Sequence, residues 1–119
     1  MEKSKYGLLL CDDLIFSSKI TATARAHGLT VKVARTVEAL EAMLEEHPSA
    51  VILELDHSSF DVAALVEKIK ACPSRIVAYG SHVDVERLKT ARRSGCEIVL
   101  PRSQFVEKLE HELSNWICG

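Results

Sequence analysis

Short apolar runs and helix-period segments alternate along this chain from end to end, and that alternation constrains the fold more than any other feature of the sequence. Tyr6 to Cys11 is nearly continuous in apolar side chains and has the length of a strand buried on both faces, as in a parallel sheet. From Leu14 to Ala26 the apolar residues Ile15, Ile20 and Ala24 recur at helical spacing, and His27-Gly28 supplies a helix stop. Thr30 to Ala34 reads as a short strand. Thr36 then caps a helix over Glu38 to Glu45 with Leu40, Met43 and Leu44 on one face, closed by His47-Pro48. Ala50 to Leu55 is another buried strand, Phe60 to Ala71 a helix ended by Cys72-Pro73, and Arg75 to Tyr79 a strand again. A more polar helix over Val83 to Arg93 stops near Gly95, and Glu97 to Leu100 and Phe105 to Trp116 supply the last strand and helix.

Five strands and five helices in strict alternation with short connections predict an α/β chain: a parallel sheet, right-handed crossovers and helices on both faces. A length of 119 residues, 47% of them apolar and 27% charged, suits one hydrophobic core, so a single domain over 1–119 is expected. Lys plus Arg number 15 and Asp plus Glu 17, a formal charge of -2 that gives no broad attraction to nucleic acid or to an anionic membrane. Cys11, Cys72, Cys96 and Cys118 form no C-x-x-C pair, so neither a zinc site nor a disulfide framework is indicated. The early apolar run from Gly7 to Cys11 is too short for a signal-peptide core or a membrane span, and a cytoplasmic protein with reduced thiols is expected.

In an open α/β sheet, sites form beyond the carboxyl ends of the strands. Asp12, Asp13 and Glu54 occupy such ends, and Arg102 follows the last strand. Three carboxylates gathered in one cleft repel unless a cation or a basic side chain stands among them, and oxygen ligands of this kind suit Mg²⁺. Taken singly, Asp12 reads as a helix cap and Asp13 and Glu54 as solvated loop acids; their joint placement with Arg102 favours a site. His57 and His82 lie on the same edge without a ligand spacing and read as surface histidines.

The order and spacing of these residues resemble the receiver domain of bacterial two-component response regulators, over about residues 6–117. Leu8-Leu9-Leu10-Cys11-Asp12-Asp13 is similar to that family's first strand with its acidic pair, the segment from Glu54 to Asp61 to its phosphoacceptor loop, and Gly95 to Leu100 to its turn into the fifth strand. The resemblance implies a three-layer, doubly wound (βα)5 flavodoxin-like fold with strand order 2-1-3-4-5. It also implies that Glu54 replaces the phosphorylated aspartate, Ser58 a proline, Gly80 a hydroxyl residue, Val99 the switching aromatic, and Arg102-Ser103 a Lys-Pro pair.

Each replacement works against phosphotransfer. Glutamate carries its carboxylate about 1.5 Å further out than aspartate, and an error of about 1 Å in an in-line attack costs roughly a hundredfold in rate. Gly80 has no hydroxyl and Val99 no ring, so both ends of the usual relay are gone. Arg102 keeps the charge as a planar fork suited to carboxylates, and an ion pair with Glu54 is expected. Without the proline, a cis peptide at Ser103 is too costly and a trans loop is expected. A one-residue deletion in that loop would instead put Leu100-Pro101 in the Lys-Pro position.

The expectation is therefore a non-enzymatic, phosphorylation-independent pseudo-receiver that transmits signals by binding protein: a histidine kinase, an output domain, another regulator, or a second copy as a homodimer. The resemblance places its interface on the fourth helix, fifth strand and fifth helix, at Val85, Leu88, Arg92, Val99, Gln104, Val106 and Lys108. The alternative is a working phosphoacceptor of a phosphorelay that uses Asp56 with Mg²⁺. Asp13, Glu54 and the backbone carbonyl of Asp56 would hold the ion under either reading, weakly under the first, unless Arg102 replaces it or no cofactor is needed. A flavin or nucleotide site is disfavoured, because Asp12 and Asp13 fill with negative charge the loop that would bind a phosphate.

Overall fold

The computed structural model describes residues 5–57 and 60–119. Strands β1 (Gly7–Leu10), β2 (Val31–Ala34), β3 (Ala50–Glu54), β4 (Arg75–Gly80) and β5 (Ile98–Pro101) alternate with helices α1 (Leu14–Ala26), α2 (Val37–Met43), α3 (Val62–Lys70), α4 (Val85–Ser94) and α5 (Arg102–Cys118). One 3₁₀ turn, Leu44–Glu46, extends α2. The strands form one sheet in the order β2-β1-β3-β4-β5, every pairing parallel. Architecture and strand order are those expected, because parallel neighbours need a helical crossover and the sequence supplies one after every strand.

Side-chain alternation divides the core in two. Leu8, Leu10, Val51, Leu53, Ile76 and Ala78 point to α2, α3 and α4, whereas Leu9, Ile52, Val77 and Tyr79 point to α1 and α5. β1 and β3 are buried throughout, as a central parallel strand requires; all four residues of the edge strand β5 are half-buried.

Local signals explain most helix ends. The side chains of Asp13, Thr36, Asp61 and Asp84 each accept a hydrogen bond from the backbone N–H three residues on, capping α1, α2, α3 and α4. Gly95, at φ 110°, closes α4 in the left-handed conformation that glycine adopts at low cost. α5 differs from expectation: it starts at Arg102, not Phe105. Pro101, with φ -59°, turns strand directly into helix and leaves no loop between them. Arg102 is thereby fixed at a helix N-terminus. The described residues contain no cis peptide bond.

Candidate functional site at the carboxyl edge of the sheet

Glu54 is the last residue of β3 and falls on the α1–α5 side of the sheet, like Ala50 and Ile52 before it. Its side chain is only 4% exposed. Arg102, carried by the first turn of α5, places Nη2 3.1 Å from Glu54 Oε2, so the ion pair expected from the sequence is formed. The contact is not a two-pronged fork: the same Nη2 lies 3.7 Å from Asp56 Oδ2, and one nitrogen serves two carboxylates. The guanidinium carbon sits 4.7 Å from the Phe16 ring centre and 5.7 Å from that of Tyr79, two faces that favour a cation.

Burial pushes the Glu54 carboxyl above its ordinary range; the Arg102 charge pulls it down, and the Asp12 charge pushes it up. Below it, Cys11 Sγ is 3.7 Å from Glu54 Oε2, and burial pushes that thiol up as well. Tyr79 is fully buried, stacked on Phe105 with ring centres 4.3 Å apart. Among the described residues its hydroxyl has no hydrogen-bond partner.

The three carboxylates named from the sequence do not converge. Asp12 acts on Glu54, but the Asp13 side chain turns into the start of α1, where Oδ1 accepts from Phe16 N–H at 3.0 Å. Asp13, and not Asp12, is thus the cap of α1, because α1 begins at Leu14. Among the described residues no three His, Cys, Asp or Glu side chains form a set able to hold a metal ion. With Arg102 beside Glu54 and Asp13 committed to the cap, the donors present do not fit the Mg²⁺ site expected at Asp13, Glu54 and the Asp56 carbonyl.

Two further expectations need correction. His57 is buried, at 7% exposure; its Nε2 bonds to the carbonyl oxygen of Arg35 and stands 3.8 Å from Asp12 Oδ2, tying the end of β3 to the end of β2. His82 is exposed, as read from the sequence. Leu88 is a core residue at 6% exposure, because one side of α4 packs Leu88 and Ala91 against the sheet. Of the other interface residues, Val85, Arg92, Gln104 and Lys108 are exposed and Val99 and Val106 are half-buried. Ser58 lies outside the described residues.

Gly80 ends β4, and its missing side chain is explained by crowding. A Cβ there would stand 3.1 Å from Leu55 Cβ and 3.5 Å from Asp56 Oδ1. The loop after β3 therefore fills the space where a residue 80 side chain would go. Arg87 of α4 bolts that loop down, donating from Nε to the Leu55 carbonyl at 2.7 Å and from Nη2 to the Phe60 carbonyl at 3.4 Å. Nothing in the sequence marks Arg87 apart from its neighbours on a basic helix. Cys11 and Tyr79 had a signal, since strand alternation puts both on the face of Glu54.

No family model and no curated protein matches the sequence. Solved structures match closely in backbone. The signal receiver domain of a response regulator from Bermanella marisrubri aligns with TM-score 0.83 at 18% identity, covering 96% of this chain and 98% of that one. The co-crystal structure of the Saccharomyces cerevisiae histidine phosphotransfer protein Ypd1 with the receiver domain of the response regulator Ssk1 gives TM-score 0.80 at 16% identity, covering 99% and 92%. The beryllofluoride-activated NtrC4 receiver domain dimer gives 0.75 at 18%, covering 93% and 98%. The chain has the fold of the response-regulator receiver domains.

Proposed function

We propose that this chain is a signalling module that acts by binding a protein partner and takes up no phosphoryl group. One observation carries the reading: the carboxylate at the end of β3 is a buried glutamate already paired with Arg102 at 3.1 Å. A nucleophile needs its lone pairs free and its attack line open, and this one has a guanidinium on Oε2 and a longer stem than an aspartate. The crowding at Gly80 adds to it, since the Cβ of a hydroxyl residue there would stand 3.1 Å from Leu55 Cβ and force a shift of that loop. Arg102 takes the place of a divalent ion, so no metal is required.

Proteins of the same fold, solved with a histidine phosphotransfer partner and as a dimer, support a protein as the partner here. The docking face in this reading is α4, β5 and α5, through Val85, Arg92, Val99, Gln104, Val106 and Lys108. The partner class is a histidine kinase, an output domain, another regulator or a second copy.

Intact-mass measurement after incubation with an acyl phosphate and Mg²⁺ tests the central claim. No gain of one phosphate is expected. An adduct mapped to Asp56 or Glu54 establishes a working phosphoacceptor and overturns the proposal.

A further inference from the structure

The helices α2, α3 and α4 form one layer on the sheet, and that layer is divided by charge. α2 packs on β1 and β2 at one edge, α4 on β4 and β5 at the other, and α3 lies between them. α2 and its 3₁₀ turn carry Glu38, Glu41, Glu45 and Glu46 and no Lys or Arg. α4 carries Arg87, Lys89, Arg92 and Arg93 against the acid Glu86. Part of this charge is already engaged: Glu41 pairs with Lys68 of α3 at 2.7 Å, Glu46 with Lys32 at 2.8 Å, and Arg87 with the loop carbonyls after β3. Among the described residues Glu38 and Glu45 on α2, and Lys89 and Arg93 on α4, are exposed and make no ion pair. Glu38 and Glu45 stand three and four residues from Glu41, on the flank of α2 that looks toward α3. Lys89 and Arg93, four residues apart, share the side of α4 turned away from the buried Leu88 and Ala91. Between the two flanks α3 shows solvent the stripe Ala64, Glu67 and Ala71, because Val62, Leu65, Val66 and Ile69 take its inward face. Two alanines allow close approach, and Lys70 offsets Glu67 from three residues on. A cavity of about 170 Å³ beside Ala64, with Val37 and Leu65 in its wall, adds apolar surface between α2 and α3.

We infer that the outer face of this helical layer is a contact between two copies of the chain, related by a two-fold axis running along α3. That axis sets α2 of each copy on α4 of the other, so the acidic pair Glu38 and Glu45 meets the basic pair Lys89 and Arg93 twice. An axis across the helices would lay α2 on α2 and α4 on α4, and like charges would oppose each other. The acidic and basic flanks therefore select one of the two symmetric stackings. A close-packed centre with a charged rim is the layout of a protein interface, and exposed ion pairs contribute little each, so the contact is weak and sensitive to salt. The inference goes beyond the docking reading, because it uses α2, α3 and the α3-facing side of α4 in place of β5 and α5, and it stands whether or not the chain takes up phosphate.

Sedimentation of the full chain over a concentration series, at about 0.02 M and about 0.5 M salt, tests it. The wild type is expected to pass from monomer to dimer at low salt, with association at least about tenfold weaker at high salt. Lys89→Gln with Arg93→Gln, and Glu38→Gln with Glu45→Gln, each stay monomeric alone. A mixture of these two variants recovers a one-to-one dimer, since one keeps the acidic helix and the other the basic one. Ala64→Arg, on the exposed stripe of α3, blocks association in every combination. A wild type that stays monomeric at low salt, a mixture that recovers nothing, or a mass that grows past two copies overturns the inference. So does a dimer that survives Ala64→Arg and is broken by Lys108→Glu on α5, which would assign self-association to the docking face instead. None of these results touches the mass measurement, so the two proposals fail separately.

Discussion

Nη2 of Arg102 stands 3.1 Å from Oε2 of Glu54, and the carboxylate so neutralised has a side chain only 4% exposed while the guanidinium is 37% exposed. The two partners therefore differ in what their loss leaves behind. Arg102→Ala strands a buried charge and lowers stability by about 1 to 3 kcal/mol, less than for a fully buried pair because Arg102 reaches solvent. Glu54→Gln leaves Arg102 hydrated and costs under about 1 kcal/mol. The double variant recovers most of the Arg102→Ala loss. Urea denaturation of all four proteins measures it; equal costs for the two single variants would contradict the asymmetry.

Stability also depends on pH through this carboxyl. Burial holds the folded-state pKa of Glu54 above its ordinary value, with Arg102 opposing and Asp12 reinforcing. Between the ordinary carboxylate range and that raised value the folded chain binds more protons than the unfolded one. The contribution of Glu54 to stability therefore falls as pH rises through the window and is fully lost above it. Glu54→Gln removes this slope and Arg102→Ala steepens it, since the one opposing charge is gone. Denaturation midpoints across the acid range give the three slopes, and a wild-type slope of opposite sign after subtraction of Glu54→Gln refutes the assignment.

Divalent metal is the next point of decision. Asp13 turns one oxygen to Phe16 N–H and Glu54 carries the Arg102 guanidinium on Oε2, so a hard cation would have to share this pocket with a positive charge. Calorimetric titration of the wild type with Mg²⁺ is expected to give no binding heat. A heat that disappears in Asp13→Ala would restore the metal site and displace Arg102 from that role.

The sheet order was legible because each strand announced itself as an apolar run and each crossover as a helix-period segment, so little topological choice remained. The Arg102–Glu54 contact was legible too, since residues at the carboxyl ends of parallel strands share one edge. What failed was the direction of individual side chains. Asp12 and Asp13 are adjacent, and which one caps α1 depends on where the helix starts within one residue, below the resolution of periodicity. His57 was misread because it is buried with its Nε2 on the carbonyl of Arg35, twenty-two positions away, and no local pattern encodes that contact. Pro101 looked like a loop residue, yet it serves as the corner between β5 and α5.

Gly80 yields a prediction about repair. Restoring a hydroxyl residue there is the obvious route to a conventional site, but Leu55 Cβ lies 3.1 Å from where the new Cβ must go. Gly80→Thr is expected to destabilise by about 1 to 3 kcal/mol through overpacking. Gly80→Ala, which adds only the Cβ that meets Leu55 Cβ, is expected to carry part of that loss, read as denaturation midpoints. If Gly80→Thr alone matched the wild type, the loop after β3 would be free to move and the crowding argument would fall.

Tyr79 is the last case, and here removal of an atom is expected to help. Its hydroxyl is buried and, among the described residues, unpaired, while its ring stacks on Phe105 and lies 5.2 Å from Phe16. A buried donor without a partner forfeits its hydration for nothing, so Tyr79→Phe keeps the stack and raises stability by about 1 kcal/mol. Tyr79→Ala removes the ring from the packed α1–α5 side of the core and lowers stability by about 3 to 5 kcal/mol. Burial also pushes the phenol far up, with the Glu54 and Cys11 charges adding to it. The Tyr79 phenolate therefore forms only when the chain unfolds in alkali, and Tyr79→Phe deletes that component of the phenolate absorbance. A Tyr79→Phe protein less stable than the wild type would mean that the hydroxyl holds a hydrogen bond after all, with the Cys11 thiol, which also pushes the phenol up, as its partner.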